Sequence, residues 1–287
     1  MLTIAIFADL HGRIELCFRL CARWQRETGR QLDYILQAGD LGAFFDHSRL
    51  DRATIRFAQN DPTELGFLED FTQPNPRIAA VLAETSCPLL FVRGNHEDHV
   101  ALDELERQHS GPYFPVDAYG RLLCIKTGVP FELRAGDTTL RVLGIGRTGP
   151  LDGETDVHQP RYLQPEEEER IYRIGRQRID LLLTHDSARH FVTRGYGLEA
   201  IRDVLAGYQP TYHIHGHVGG PAWRRSAANN VTEVVKLADL SWERGGTLLP
   251  AGSMAILTWR NPTDHQLDLV DTPWLREYSR HGWKHTS

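Results

Sequence analysis

The chain reads as an α/β protein built around a parallel sheet, and two observations lead there. Short apolar runs alternate with amphipathic stretches over residues 2–92. Five apolar runs also end in a short polar cluster: Asp9-Leu10-His11, Gly39-Asp40, Gly94-Asn95-His96-Glu97, Thr184-His185-Asp186 and His215-Gly216-His217. In open parallel sheets, ligand sites lie beyond the C-terminal ends of the strands. Strands ending on one edge would bring the five clusters together.

The elements follow in order. Residues 2–8 are apolar throughout and predict a buried strand. Residues 13–28 predict an amphipathic helix, with Ile14, Cys17, Phe18, Cys21 and Trp24 on one face and Gly29 at its end. Residues 32–37 predict the next strand. A long polar stretch at 43–76 intervenes, then a helix at 78–84 and a strand at 88–92. Strand and helix in alternation imply right-handed crossovers. Beyond residue 120, runs at 121–125, 129–133 and 138–143, separated by Thr127-Gly128 and Ala135-Gly136-Asp137, predict an antiparallel meander. Residues 146–164 read as a Gly/Pro-rich loop. A helix at 165–176, a strand at 180–183, a helix at 198–208 and a strand at 211–214 restore the earlier alternation. Strands at 231–237, 254–259 and 266–270 close the chain.

The 287 residues suffice for a single domain over 1–287, carrying an insert at 43–76 and a loop at 146–164. Loops of that length in a compact domain are often functional, and both are expected to shape a substrate pocket. No apolar run approaches the ~20 residues of a membrane span. The N-terminus lacks a basic leader and reads as a strand, not a signal peptide. A net charge of −6 argues against a surface built for general nucleic-acid binding. The four cysteines form no Cys-x-x-Cys pair, which suits a reduced, cytoplasmic compartment. Oligomeric state has no signal in the sequence.

The clusters hold donors for hard or borderline metals. Asp, His and Asn without thiolates suit manganese, with iron or zinc as alternatives, in a reactive site. Asp9 and His11 lie two apart in extended backbone, so their side chains can share a direction. Asp40 follows Gly39, and its two oxygens can bridge two ions. Asn95 offers an amide oxygen, His185 an imidazole, and the last cluster either His215 or His217. His213 alternates with His215 and can face the same side. Two divalent transition metals ~3.5–4 Å apart would polarise a phosphoryl group and activate a water between them. His96 suits the proton donor for the leaving oxygen, and Arg93, just before its cluster, is a candidate phosphate contact.

These blocks, in this order, resemble the calcineurin-like metallophosphoesterases, whose pattern is Asp-x-His, Gly-Asp, Gly-Asn-His-(Asp/Glu), an isolated His and Gly-His-x-His. The resemblance spans roughly residues 2–259. It implies a four-layer αββα sandwich of two mixed β-sheets flanked by helices. It also implies that Asp9, His11 and Asp40 hold one metal, that Asp40, Asn95 and His185 hold the other, and that His96 is the substrate-facing acid. The last block departs from the pattern. Read as Gly216-His217-Val218-Gly219, it keeps Gly-His but has Gly219 where the second His belongs, and one metal loses a ligand that His215, water or Glu97 would replace. Read as His215-Gly216-His217, it keeps both imidazoles but has Ile214 in place of Gly. The implied activity is hydrolysis of a phosphodiester or phosphomonoester, with a phosphorylated small molecule or nucleotide as substrate and RNA as a further class. The departure at Gly219 leaves open a binding scaffold of the same fold with weakened chemistry.

Overall fold

The N-terminal apolar run forms β1 (Leu2–Phe7), buried at every residue. Its two faces meet different layers. Ile4 and Ile6 pack with Leu36, Leu90, Leu181, Leu183 and Ile214, while Ala5 and Phe7 pack with Cys17, Phe18 and Cys21. Burial on both faces is why the run does not alternate with polar residues. A computed structural model describes residues 1–156, 158–242 and 247–286; residue 157 of the 146–164 loop lies outside them.

After β1 come α1 (Ile14–Thr28), β2 (Tyr34–Gln37), α2 (Arg52–Ala58), α3 (Gly66–Asp70), α4 (Pro76–Ala83), β3 (Leu89–Phe91), α5 (His99–Arg107), β4 (Tyr113–Pro115) and β5 (Leu122–Ile125). The chain continues through β6 (Phe131–Ala135), β7 (Thr138–Ile145), α6 (Pro165–Tyr172), β8 (Leu181–Thr184), α7 (Glu199–Tyr208), β9 (Tyr212–His215), β10 (Trp223–Ser226), β11 (Glu233–Lys236), β12 (Ala255–Asn261) and β13 (Asp264–Leu269). One sheet runs β13-β12-β1-β2-β3-β5-β4 and the other β10-β11-β9-β8-β7-β6. Within them β1, β2, β3 and β5 are parallel, as are β7, β8, β9 and β11. Helix α1 covers the outer face of the first sheet, and α6 and α7 cover the second through Ile171, Ile201, Val204 and Leu205. The result is four layers: helices, sheet, sheet, helices.

Helix α1 ends as expected at Gly29, in the left-handed region, whose N–H donates to the Gln25 carbonyl at 2.9 Å. The expected meander does not form. β5 joins the first sheet beside β3, whereas β6 and β7 pair as a hairpin in the second. The turn at Gly136 closes a hairpin, but the one at Gly128 carries the chain from one sheet to the other. Three short strands with similar patterning cannot disclose which sheet each completes, because inter-sheet burial decides it. Helix α5 and strands β4 and β10 were not expected. The polar stretch at 43–76 is also more ordered than expected. Its acids are caps: Asp51 accepts from Thr54 N at 2.7 Å to open α2, and Asp61 accepts from Thr63 N at 3.1 Å to open the turn at Pro62–Leu65. All four cysteines are buried and free.

His99 opens α5 and is buried. Burial, with Arg147 and Arg93 adding positive charge nearby, holds its imidazole well below the ordinary 6.5. The unfolded chain therefore takes up a proton below pH 6.5 that folded His99 refuses. Stability present above about pH 6.5 is lost as the pH falls, at about 1.4 kcal/mol per pH unit from this group. His99→Phe should flatten that slope between about pH 6.5 and 5 in urea denaturation. An unchanged slope would show that the acid sensitivity lies elsewhere.

Candidate metal centre

All five clusters follow the C-terminal ends of parallel strands. Asp9 and His11 follow β1, Asp40 follows β2, Asn95 and His96 follow β3, His185 follows β8, and His217 follows β9. The backbone there is strained. Asp9, His11, Asp40 and His217 adopt positive φ of 49°, 44°, 56° and 69°, each costing on the order of 1 kcal/mol. Hydrogen bonds between the strand ends offset the cost. Asp9 N donates to the Gly39 carbonyl at 3.0 Å and His11 N to the Asp40 carbonyl at 2.9 Å. Asn95 N and His96 N both donate to Asp40 Oδ1, at 2.7 and 2.8 Å. His217 N donates to Asp9 Oδ2 at 3.1 Å.

The glycines of the motifs are there for close approach. A Cβ on Gly94 would lie 2.0 Å from Asp40 Oδ1, and one on Gly216 would lie 2.1 Å from Asp9 Oδ2. Only a hydrogen leaves these carboxylates in place.

Two donor sets result. The ligand atoms of Asp9, His11 and Asp40 lie within 4.8 Å of one another, as do those of Asp40, His185 and His217. Asp40 belongs to both. His185 Nδ1 donates to the Ala38 carbonyl at 2.9 Å, which fixes the tautomer and turns Nε2 inward, 3.4 Å from Asp40 Oδ1. Asn95 Oδ1 sits 3.1 Å from the same Nε2. Oxygen and imidazole donors without thiolates fit divalent cations. The clustered acids and imidazoles perturb one another strongly. Burial pushes the Asp9 carboxyl up to about 8, with His185 opposing and Asp239 and Asp40 adding like charge. Burial alone would raise Asp40, but His185, His96 and His11 hold it well below the carboxylate range. Burial disfavours the His185 cation, yet Asp40 and Asp9 lift it to about 10. Burial lowers His11 to about 4, leaving its ring neutral and able to ligate.

His96 lies beside both sets and in neither, its ring centroid 5.4 Å from that of His11. Its Nδ1 donates to Asp51 Oδ2 at 2.6 Å, and Nε2 has no hydrogen-bond partner among the described residues. Burial works against its charge, but Asp40 and Asp51 raise it to about 9. Sequence reasoning missed Asp51. Its one signal there is that of a helix cap, and it does serve as one, with its other oxygen.

Two expected residues stand elsewhere. Arg93 is 1% exposed, and its guanidinium pairs with Asp103 and with Glu106, the latter at 2.6 Å. Those acids belong to α5, so Arg93 anchors that helix rather than facing a phosphate. His215 lies outside both donor sets. Strand alternation explains it: Tyr212 and Ile214 face the inter-sheet core, so His213 and His215 face the opposite side. There His213 meets Thr184 Oγ1 at 2.8 Å, and the His215 ring packs against His213 and Trp223, at 5.3 and 5.5 Å. His215 Nδ1 donates to the Gly216 carbonyl, and Nε2 has no hydrogen-bond partner among the described residues. His217 reaches the site because its positive φ breaks the alternation. The geometry therefore follows the Gly216-His217 register. Glu97 does not compensate, since its carboxylate accepts from Leu41 N at 2.9 Å and Ala43 N at 2.7 Å.

A cleft of ≈ 860 Å³ opens beside His11, lined also by Phe57, Asn60, Gly219, Asp239 and Trp242. The insert thus forms one wall, held down where Arg13 pairs with Asp61 and Glu64 at 2.8 and 2.7 Å. No described residue of the 146–164 loop lines this cleft, contrary to expectation. Among the described residues, no helix is long and apolar enough to cross a membrane.

A double sheet that gathers oxygen and imidazole donors at its strand ends is the architecture of a metal-dependent phosphoester hydrolase. The family profile for calcineurin-like phosphoesterases matches residues 2–221, and the chain belongs to that family. No curated protein sequence matches it. Among solved structures it is similar to the protein TT1561 of Thermus thermophilus, at 16% identity and a TM-score of 0.53, covering 94% of this chain and 99% of the other. It is also similar to a 5'-nucleotidase from Candida albicans, at 11% identity and a TM-score of 0.46, covering all of this chain and 53% of the other. The likeness to TT1561 shows a shared fold.

Proposed function

We propose that the protein hydrolyses a nucleotide-like phosphomonoester or phosphodiester with two divalent transition metals, manganese first and iron or zinc as alternatives. The observation that supports this most is the meeting of two donor sets at one carboxylate, Asp40. On this reading Asp9, His11 and Asp40 hold one ion, and Asp40, Asn95, His185 and His217 the other. When bound at these residues, such ions would polarise a phosphoryl group and lower the pKa of an attacking water. The protein's own residues do the rest. Asp51 fixes the His96 ring, and His96 Nε2 delivers a proton to the leaving oxygen. Phe57 and Trp242 supply aromatic wall for a base or aryl group. The net charge of −6 favours a small phosphate ester over long duplex DNA, with RNA as a further class. Four free buried cysteines suit a reduced, cytoplasmic setting.

The test is to strip the full chain with a chelator and then restore Mn, Fe or Zn separately. Hydrolysis of an aryl phosphomonoester and a bis-aryl phosphodiester is then compared. Activity should vanish on stripping and return most fully with Mn. No turnover of either ester with any metal would favour the second reading, a binding scaffold of the same fold, which Gly219 motivates.

A further inference from the structure

With Gly219 in place of the second histidine, and with His215 and Glu97 engaged elsewhere, the set Asp9, His11 and Asp40 is one ligand short of four. A side chain at Gly219 would have entered open space, since a Cβ there meets nothing within 4 Å. The Gly219 and Gly220 carbonyls instead accept from buried Lys236 Nζ, at 2.5 and 2.7 Å, which holds this turn in place. Three residues beyond Lys236, at the C-terminal end of another parallel strand, stands Asp239. Ala8 and Asp239 form a parallel bridge between the two sheets, and Leu240 N donates to the Asp9 carbonyl at 3.3 Å. Asp239 lines the cleft with His11 and Gly219 but stands outside both donor sets, so its carboxylate has to turn toward Asp9, His11 and Asp40 to share an ion with them. Its Oδ1 is buried without a hydrogen-bond partner among the described residues. A buried carboxylate oxygen left unpaired is costly. Among the described residues, the charged groups that act on it are Lys236, whose Nζ is given to the two carbonyls, and Asp9, Asp40 and His185.

We propose that Asp239 supplies the oxygen ligand that replaces the missing histidine, so that Asp9, His11, Asp40 and Asp239 hold one metal ion. This rests on the two-metal reading above. An oxygen in place of an imidazole makes this ion's shell harder, biasing it toward manganese or magnesium over zinc. It also accounts for a family member that lacks the last histidine yet keeps every other ligand.

The experiment uses the full-length chain, stripped of metal, with Mn titrated by calorimetry and bound metal counted by mass spectrometry. Wild type should bind two Mn. Asp239→Asn and Asp239→Ala should weaken one of the two sites by about tenfold or more, since even residues that only orient ligands are worth that much. The other site should keep its affinity. Melting of the stripped protein supplies an independent readout. A ligand carboxylate held against Asp9 and Asp40 repels them, so Asp239→Asn should melt at the same temperature or higher without metal and gain less from added Mn. Two sites of unchanged affinity in Asp239→Asn would overturn the role of Asp239 and leave the two-metal reading standing. A lower melting temperature without metal, with Mn binding intact, would make Asp239 the counter-ion of Lys236 and overturn it as well. A wild-type protein that binds a single Mn would overturn the two-metal reading itself.

Discussion

Asp40→Ala is expected to abolish phosphoester hydrolysis, by about 10³-fold or more, and to reduce the bound metal. Asp40 alone belongs to both donor sets, so its loss weakens both sites together. Metal charge stabilisation is worth several kcal/mol in the transition state, and each ~1.4 kcal/mol is a factor of ten in rate. Asp40 also accepts the Asn95 and His96 backbone N–H groups, so alanine orphans two half-buried donors and loosens the loop after β3. Asp40→Asn separates these effects. It keeps an acceptor oxygen of the same size while removing the charge that bridging requires. Both variants should lose activity and metal, and Asp40→Asn should keep most of the wild-type melting temperature. Normal turnover by Asp40→Asn would sink the shared-ligand assignment.

The second large effect is expected at His96. His96→Ala should lower kcat by about 10²–10⁴-fold, the range for a positioned general acid, while metal content stays at the wild-type level, because His96 lies outside both donor sets. The loss should depend on the leaving group. A nitrophenolate departs without a proton, whereas an alkoxide needs one, so the deficit should be larger for an alkyl ester than for a nitrophenyl ester. Asp51→Asn should fall partway toward His96→Ala with the same leaving-group trend, since it disturbs the partner of Nδ1 and leaves Nε2 in place. Equal deficits on both esters, or a loss of metal in His96→Ala, would remove His96 from the role of acid.

The legible part of the site was the part made of local pattern. Asp9, His11, Asp40, Asn95, His96 and His185 each follow an apolar strand, and strand-end position is a property of sequence. The glycines were legible as turn makers but not as spacers. That Gly94 and Gly216 leave room for the carboxylates of Asp40 and Asp9 depends on contacts between residues far apart in the chain. Arg93 misled because its neighbours in sequence face the site while its side chain turns to α5, an element the sequence did not announce. The 43–76 stretch misled in the other direction. Its acids cap short helices, and only the folded insert brings Asp51 to His96.

By itself, the sequence determined the alternation of β1, α1, β2, α4 and β3, the apolar face of α1, and the residues that end the parallel strands. These follow from periodicity and from short-range turn chemistry, which act within a few residues. Only the tertiary structure decided which sheet β5 joins, which register the last block takes and which distant carboxylates face the site. His215 and His217 differ by two positions and a single positive φ. Strand alternation sends His215 to the outer face, and the turn held by Asp9 sends His217 inward. Asp239 comes into view for the same reason, because the close approach of β1 to the segment after β11 is a contact between sheets that no local pattern encodes.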